Sequence, residues 1–137
     1  MKVIIDTSVL ISAAISGRKP EAIILWLIDR RDVHWIVSEA ILSEYKGVLS
    51  RPRFKLTAVQ QESWSQVLEE ATTLVSVNIK TNFPRNQKDV KFLSCAVASE
   101  ADFLITGDRE LREAQELIET TIISVSLFQR IIRELDQ

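Results

Sequence analysis

The chain has 137 residues, 46% of them apolar and 26% charged, with 3 Gly, 3 Pro and a formal net charge of -2. That length buries a core without disulfides or metal staples, so one domain over residues 1–137 is expected, with no disordered tail and no low-complexity segment. The charge argues against a strongly basic nucleic-acid binder, though not against a nuclease whose acids gather in a site flanked by basic residues. A single cysteine, Cys95, allows no intramolecular disulfide, and the N-terminus enters a strand with no signal-peptide pattern, which points to the cytoplasm. The longest apolar run, Ala22 to Ile28, is far short of the ~18 residues a membrane helix needs.

The opening stretch Lys2-Val3-Ile4-Ile5-Asp6-Thr7-Ser8 organises the rest. Three consecutive β-branched residues without polar alternation read as a short strand buried on both faces. Asp6 then sits at the carboxyl end of that strand, where open α/β sheets hold their ligands, and Thr7 and Ser8 can cap the next helix. Ser8 to Ile15 reads as a short helix stopped at Ser16-Gly17, and Pro20 opens a second helix to about Arg30. In that second helix Ile23 to Ile28 are contiguous apolar residues, so it should be covered on more than one face, either by deep burial or at a homodimer interface, which is slightly favoured.

Val33 to Val37 reads as the second strand, with Ser38 as N-cap of a helix to about Leu49. Ile41, Leu42, Tyr45, Val48 and Leu49 fall in an arc of about 120°, and Glu44 borders it, placed to look into a cleft. Arg51-Pro52-Arg53-Phe54-Lys55 is the most basic loop. Thr57 and Gln60 make a capping-box start for a helix to about Thr72, and Leu74 to Val77 gives a third strand. After an irregular loop through Pro84, Asn86 and Asp89 have N-cap and N3 spacing for a helix over about 87–99, with Val90, Phe92, Leu93, Ala96, Val97 and Asp89 itself facing inward.

Phe103 to Thr106 reads as the fourth strand and Thr121 to Val125 as the fifth, with a short helix from Arg109 to Ile118 between them. Ser126 is placed to cap a final helix with Leu127, Ile131, Ile132 and Leu135 inward. The stretch Phe103-Leu104-Ile105-Thr106-Gly107-Asp108 repeats the opening design of an apolar strand followed by an acid. The alternation of strands and helices argues for an α/β fold, a three-layer α/β/α sandwich on a mainly parallel sheet of about five strands.

Singly, each acid has an ordinary explanation: Asp6 and Asp108 as caps, Asp89 as a first-turn acid, Glu44 as a solvated helix residue. Together they are expected to converge on one sheet edge, where four carboxylates would repel one another unless protons or cations intervene. Oxygen-only ligands suit Mg²⁺ or Mn²⁺ rather than zinc, since His34 is the only histidine and Cys95 lies mid-helix. Carboxylate-held magnesium is a common device for phosphoryl transfer, and the chain lacks a GxxxxGK loop and a GxSxG elbow.

Four ordered blocks carry a resemblance: Val-Ile-Ile-Asp6-Thr7-Ser8-Val-Leu, Ser-Glu44-Tyr-Lys-Gly-Val-Leu, Asp89-Val-Lys-Phe-Leu-Ser-Cys-Ala and Ala-Asp102-Phe-Leu-Ile-Thr106-Gly-Asp108. Together they resemble a PIN-domain protein over essentially the full chain, and most of all the toxin components of bacterial or archaeal toxin-antitoxin pairs. The resemblance implies a Mg²⁺- or Mn²⁺-dependent endoribonuclease, with Asp6, Glu44, Asp89 and Asp108 matching the family's four metal-site acids. It also implies a homodimer, and silencing by an antitoxin protein that fills the cleft. Relatives often carry an Asp-Pro step where this chain has Asn86-Gln87, which puts one outer ligand in question. Asp102 precedes its strand and reads as a turn residue at the opposite edge.

Lys46, Arg51, Arg53 and Lys55 are the candidate contacts to RNA phosphates, with Arg18 and Lys19 weaker ones. A phospho-receiver module is disfavoured because Val77 and Val125 stand where it needs an Asp and a Lys. A PIN fold that binds RNA or a protein without catalysis is the alternative reading.

Overall fold

Val3, Ile4 and Ile5 are completely buried on β1 (Lys2–Ile5), so both faces of this strand are covered. A computed structural model describes residues 1–16, 18–78, 83 and 87–136. Around β1 it sets β2 (His34–Val37) and β4 (Phe103–Ile105), with β3 (Thr72–Leu74) and β5 (Thr121–Ile123) outside them. The order is β3-β2-β1-β4-β5 and every pairing is parallel, with Val3 opposite both Trp35 and Phe103, and Ile5 opposite Ile105. The chain builds one half of the sheet from β1 through β3, then crosses to build the other with β4 and β5. The reversal falls between β1 and β4, whose carboxyl ends therefore flank the crevice in which open parallel sheets hold ligands.

The helices are α1 (Thr7–Ser16), α2 (Arg18–Asp29), α3 (Glu39–Leu49), α4 (Ala58–Ala71), α5 (Gln87–Ser99), α6 (Arg109–Arg112) and α7 (Val125–Leu135), with 3₁₀ turns at Pro52–Phe54 and Glu113–Leu117. They complete the expected α/β/α sandwich. Local chemistry sets several of the boundaries. Ser38 accepts from the Ile41 amide at 3.2 Å, and Thr57 and Gln60 close a reciprocal capping box at 3.1 and 2.8 Å. Among the described residues, no helix is long and apolar enough to cross a membrane.

Several expectations need correction. The third strand is Thr72–Leu74, not Leu74 to Val77, because the backbone turns extended at Thr72 and pairs with Trp35 at once. Thr72 and Thr73 are β-branched and suit a strand, yet they also continue the helical run before them. The last helix is capped by Ser124, which accepts from the Leu127 amide at 3.2 Å, and Val125 belongs to that helix rather than to the fifth strand. This register turns Phe128 and Ile132 inward and leaves Leu127 and Leu135 exposed. Val97 is likewise exposed. The second helix starts at Arg18 and is not buried on all sides: Ile23, Ile24 and Leu27 face the core, whereas Leu25 and Ile28 are 58% and 44% exposed. The cap expected at Asn86 lies outside the described residues.

Tyr45 ties α3 to the sheet. It is fully buried, and its hydroxyl donates to the carbonyl of Ile5, the residue before Asp6. Tyr45→Phe leaves a buried backbone acceptor without this donor, so urea unfolding should show a loss of about 1–2 kcal/mol.

Candidate active site

The chain continues from β1 into α1 without a loop. The Asp6 amide donates to the Ile105 carbonyl at 2.9 Å, which carries the β1–β4 ladder one residue past the strand. The Asp6 carbonyl then accepts from Val9 and Leu10 at 3.0 and 3.3 Å, so Asp6 stands at the N-terminus of α1. Its Oδ2 accepts from the Thr106 hydroxyl at 2.6 Å and the Ser8 hydroxyl at 3.0 Å. The same Thr106 oxygen accepts from the Asp108 amide at 3.0 Å, so one hydroxyl joins the two strand-end acids. Asp108 in turn caps α6, its Oδ1 accepting from the Glu110 amide at 2.9 Å.

Asp6 is only 7% exposed, and burial raises its pKa above the ordinary carboxylate value. The Thr106 and Ser8 hydroxyls and the Thr7 amide oppose that rise, while the negative charge of Asp108 adds to it. Glu44 reaches the same cleft from α3. Its Oε2 accepts from the Thr7 hydroxyl, and its Oε1 pairs with Lys91 Nζ at 2.8 Å.

Asp6, Glu44 and Asp108 line a cleft of about 490 Å³, together with Arg51, Arg53, Phe54 and Lys88. Asp89 lies in the first turn of α5, is buried, and is not among the groups lining that cleft. Three of the four expected acids thus share one pocket. Of the expected cations, Arg51 and Arg53 are at its wall. Lys46 instead lies 3.7 Å from Glu69, and Lys55, in a left-handed conformation, closes the 3₁₀ turn. Asp102 accepts from the Lys2 amide at 2.8 Å, at the opposite edge of the sheet from Asp108, as expected.

Sequence reasoning passed over Thr106, Lys88 and Lys91. Thr106 stands two residues before Asp108 in the motif that was read, and the spacing of a hydroxyl two residues before an acid was the available signal. The reach of Lys91 to Glu44 joins residues 47 apart on different helices, which no local pattern encodes.

The donor set suits a hard divalent ion in kind. Asp6 and Asp108 offer carboxylate oxygens beyond the ends of adjoining strands, and their mutual repulsion is what a cation would relieve. Among the described residues, no three His, Cys, Asp or Glu side chains are close enough to hold one ion. Magnesium is commonly held by one or two carboxylates with water and substrate phosphates completing the shell, so two acids fit it better than zinc or calcium. His34 is exposed on β2, and Cys95 is buried, its thiol pushed up to about 11 by desolvation, so neither brings softer chemistry to the cleft.

A family model described as PIN domain matches residues 2–110, a span holding all four acids. Uncharacterized protein MJ1680 of Methanocaldococcus jannaschii is 32% identical over 114 residues, which is 81% of this chain and 73% of that protein. The crystal structure of VapBC2 from Rickettsia felis, bound to a DNA fragment from their promoter, superposes with a TM-score of 0.64 at 13% identity. That match covers 90% of this chain and 98% of the other, and at such identity it speaks to the fold.

Burial raises the Asp6 pKa, so its ionised form weakens the metal-free fold: the favourable contribution is complete below the unfolded value, near ~3.9, and is lost as pH rises through the folded value. Asp6→Asn should therefore raise the melting temperature of metal-free protein at pH 7, with the gain shrinking towards pH 3. Thermal melts across that range in EDTA measure it.

Proposed function

We propose that this chain, which belongs to the PIN-domain family, is a single-domain, metal-dependent endoribonuclease that hydrolyses RNA phosphodiester bonds as the toxin of a toxin-antitoxin pair. The observation that carries the reading is the pairing of Asp6 and Asp108 through Thr106 inside a cleft whose wall also bears cations. Asp6 and Asp108 would hold Mg²⁺ or Mn²⁺, with Asp89 supporting them from the first turn of α5 and Glu44 as ligand or water orienter. Such an ion, when bound, supplies Lewis acidity and a more acidic water.

The chain's own groups do the rest. Arg51, Arg53 and Lys88 offset the repulsion between an acidic pocket and a polyanion, and they set the register of the backbone phosphates. The Phe54 ring, with the Arg53 guanidinium 4.7 Å from its centroid, offers a surface on which an unpaired base can stack. Lys46 and Lys55 would extend the basic track beyond the cleft. Hydroxyls from Thr106, Ser8 and Thr7 hold the acids in one orientation without occupying the cleft with a competing charge.

Support for a toxin comes from the shared fold with VapBC2, named for a complex of this kind; the partner would be an antitoxin that covers the cleft. A homodimer would cover the exposed Ile15, Leu25 and Ile28, and the cytoplasm suits a chain that acts on RNA. A second reading, a PIN fold that binds RNA or protein without cutting, draws on the absence of any three-acid cluster among the described residues.

RNA cleavage with Mg²⁺ and with EDTA separates the two. Cleavage should stop in EDTA, and Asp6→Asn or Asp108→Asn should lower the rate at least about 100-fold while the circular dichroism spectrum is kept; an undiminished rate would refute the assignment. The double substitution Arg51→Ala with Arg53→Ala should instead raise KM, by about tenfold, and flatten its salt dependence.

A further inference from the structure

Among the described residues, Glu44 is the acid of the cleft that is ion-paired. Lys91 Nζ lies 2.8 Å from Oε1, while the Thr7 hydroxyl holds Oε2, so both carboxylate oxygens are engaged by the chain itself. Both partners are mostly shielded, with side chains 28% and 22% exposed, and the pair is therefore less weakened by solvent than one on the open surface. Lys91 also follows Asp89 by two residues on α5, so the same helix that carries one acid towards the core sends a cation to another acid on α3. Asp6 and Asp108 differ: among the described residues, their hydrogen-bond partners are hydroxyls and backbone amides, which orient a carboxylate without cancelling its charge.

We propose that Lys91 is a positioning residue, a built-in counter-cation that holds Glu44 out of direct ligation and lowers the pull of the cleft on a divalent ion. The role rests on the metal-dependent reading above. With Lys91 in place, Glu44 faces the cleft as a hydrogen-bonding group of nearly balanced charge, and the ion is left to Asp6 and Asp108. Without Lys91, an unneutralised carboxylate joins the set that attracts the ion. The pair thereby separates the acids that hold metal from the acid that orients what surrounds it.

The test is calorimetric titration of the full chain with MnCl₂, without RNA. Lys91→Met keeps most of the aliphatic stem and removes the charge, and should tighten Mn²⁺ binding by about 3- to 10-fold, whereas Lys91→Arg should stay within about twofold of the parent. In a Glu44→Gln background, Lys91→Met should change the affinity by less than about twofold, because the effect passes through Glu44. Lys91→Gln, which keeps a donor for Glu44, serves the same purpose if the Met variant does not fold. Unchanged or weaker binding in a folded, uncharged variant overturns the role, and so does equal tightening with Gln at 44. If the parent binds Mn²⁺ and only these differences fail, the metal-dependent reading stands; if neither parent nor variant takes up Mn²⁺ at millimolar concentration, both fall.

Discussion

A buried carboxylate at the end of a central strand is the constraint to which the surrounding structure answers. Asp6 gives up most of its hydration, and the charge of Asp108 raises its pKa further. Burial of an ionised group is tolerated only where hydrogen bonds replace lost water. Here Thr106, Ser8 and the Thr7 amide supply them, and the N-terminus of α1 adds its dipole. Thr106 directly follows β4, and Thr7 and Ser8 open the helix that continues β1 without a loop, so each donor is placed by a central strand end. The Asp6 amide is bound to Ile105 and the Thr106 amide to Ile123, so three adjacent strands set the acid's position before any side chain contributes.

The strand order explains why this burden falls between β1 and β4. With β1 central and the chain reversing its direction of growth there, the two carboxyl ends diverge into different helices and leave a crevice. α3 closes one side of it through Tyr45, whose hydroxyl reaches the backbone beneath Asp6, and brings Glu44 to the opening one residue away. Core packing and site geometry thus share a single helical turn. A residue whose ring fills the core anchors its neighbour at the rim.

Much of this was legible in the chain, for reasons that can be named. The run Val3 to Ile5 has one sensible home, and Ser38, Thr57 and Gln60 are strong local caps whose partners lie three residues away. Where two local signals competed, the sequence was ambiguous: Ser124 and Ser126 both precede apolar residues, and only the end of β5 at Ile123 decides between them. Leu74 to Val77 makes a better isolated strand than Thr72 to Leu74, but the pairing with β2 outweighs that preference. The site acids were visible as strand-end and helix-face residues. Lys91, the partner of Glu44, and Lys88, on the cleft wall, were not, because the meeting of distant elements leaves no periodic trace.

The distribution of charge matters more than its sum. A net charge of -2 describes neither the acids within the cleft nor the cations on its wall. A polyanion entering the cleft would meet repulsion from Asp6 and Asp108 and attraction from Arg51, Arg53 and Lys88 within one cavity, so binding and the proposed chemistry would make opposing demands on the same few ångströms. Placing the cations on a loop after α3 and on the first turn of α5 resolves this conflict, since neither segment belongs to the strand ends that hold the acids. Lys91 is the exception, a cation turned inward onto an acid. Its position gives Glu44 an electrostatic environment unlike that of Asp6, although both face one cleft, and two carboxylates so differently surrounded are suited to different tasks.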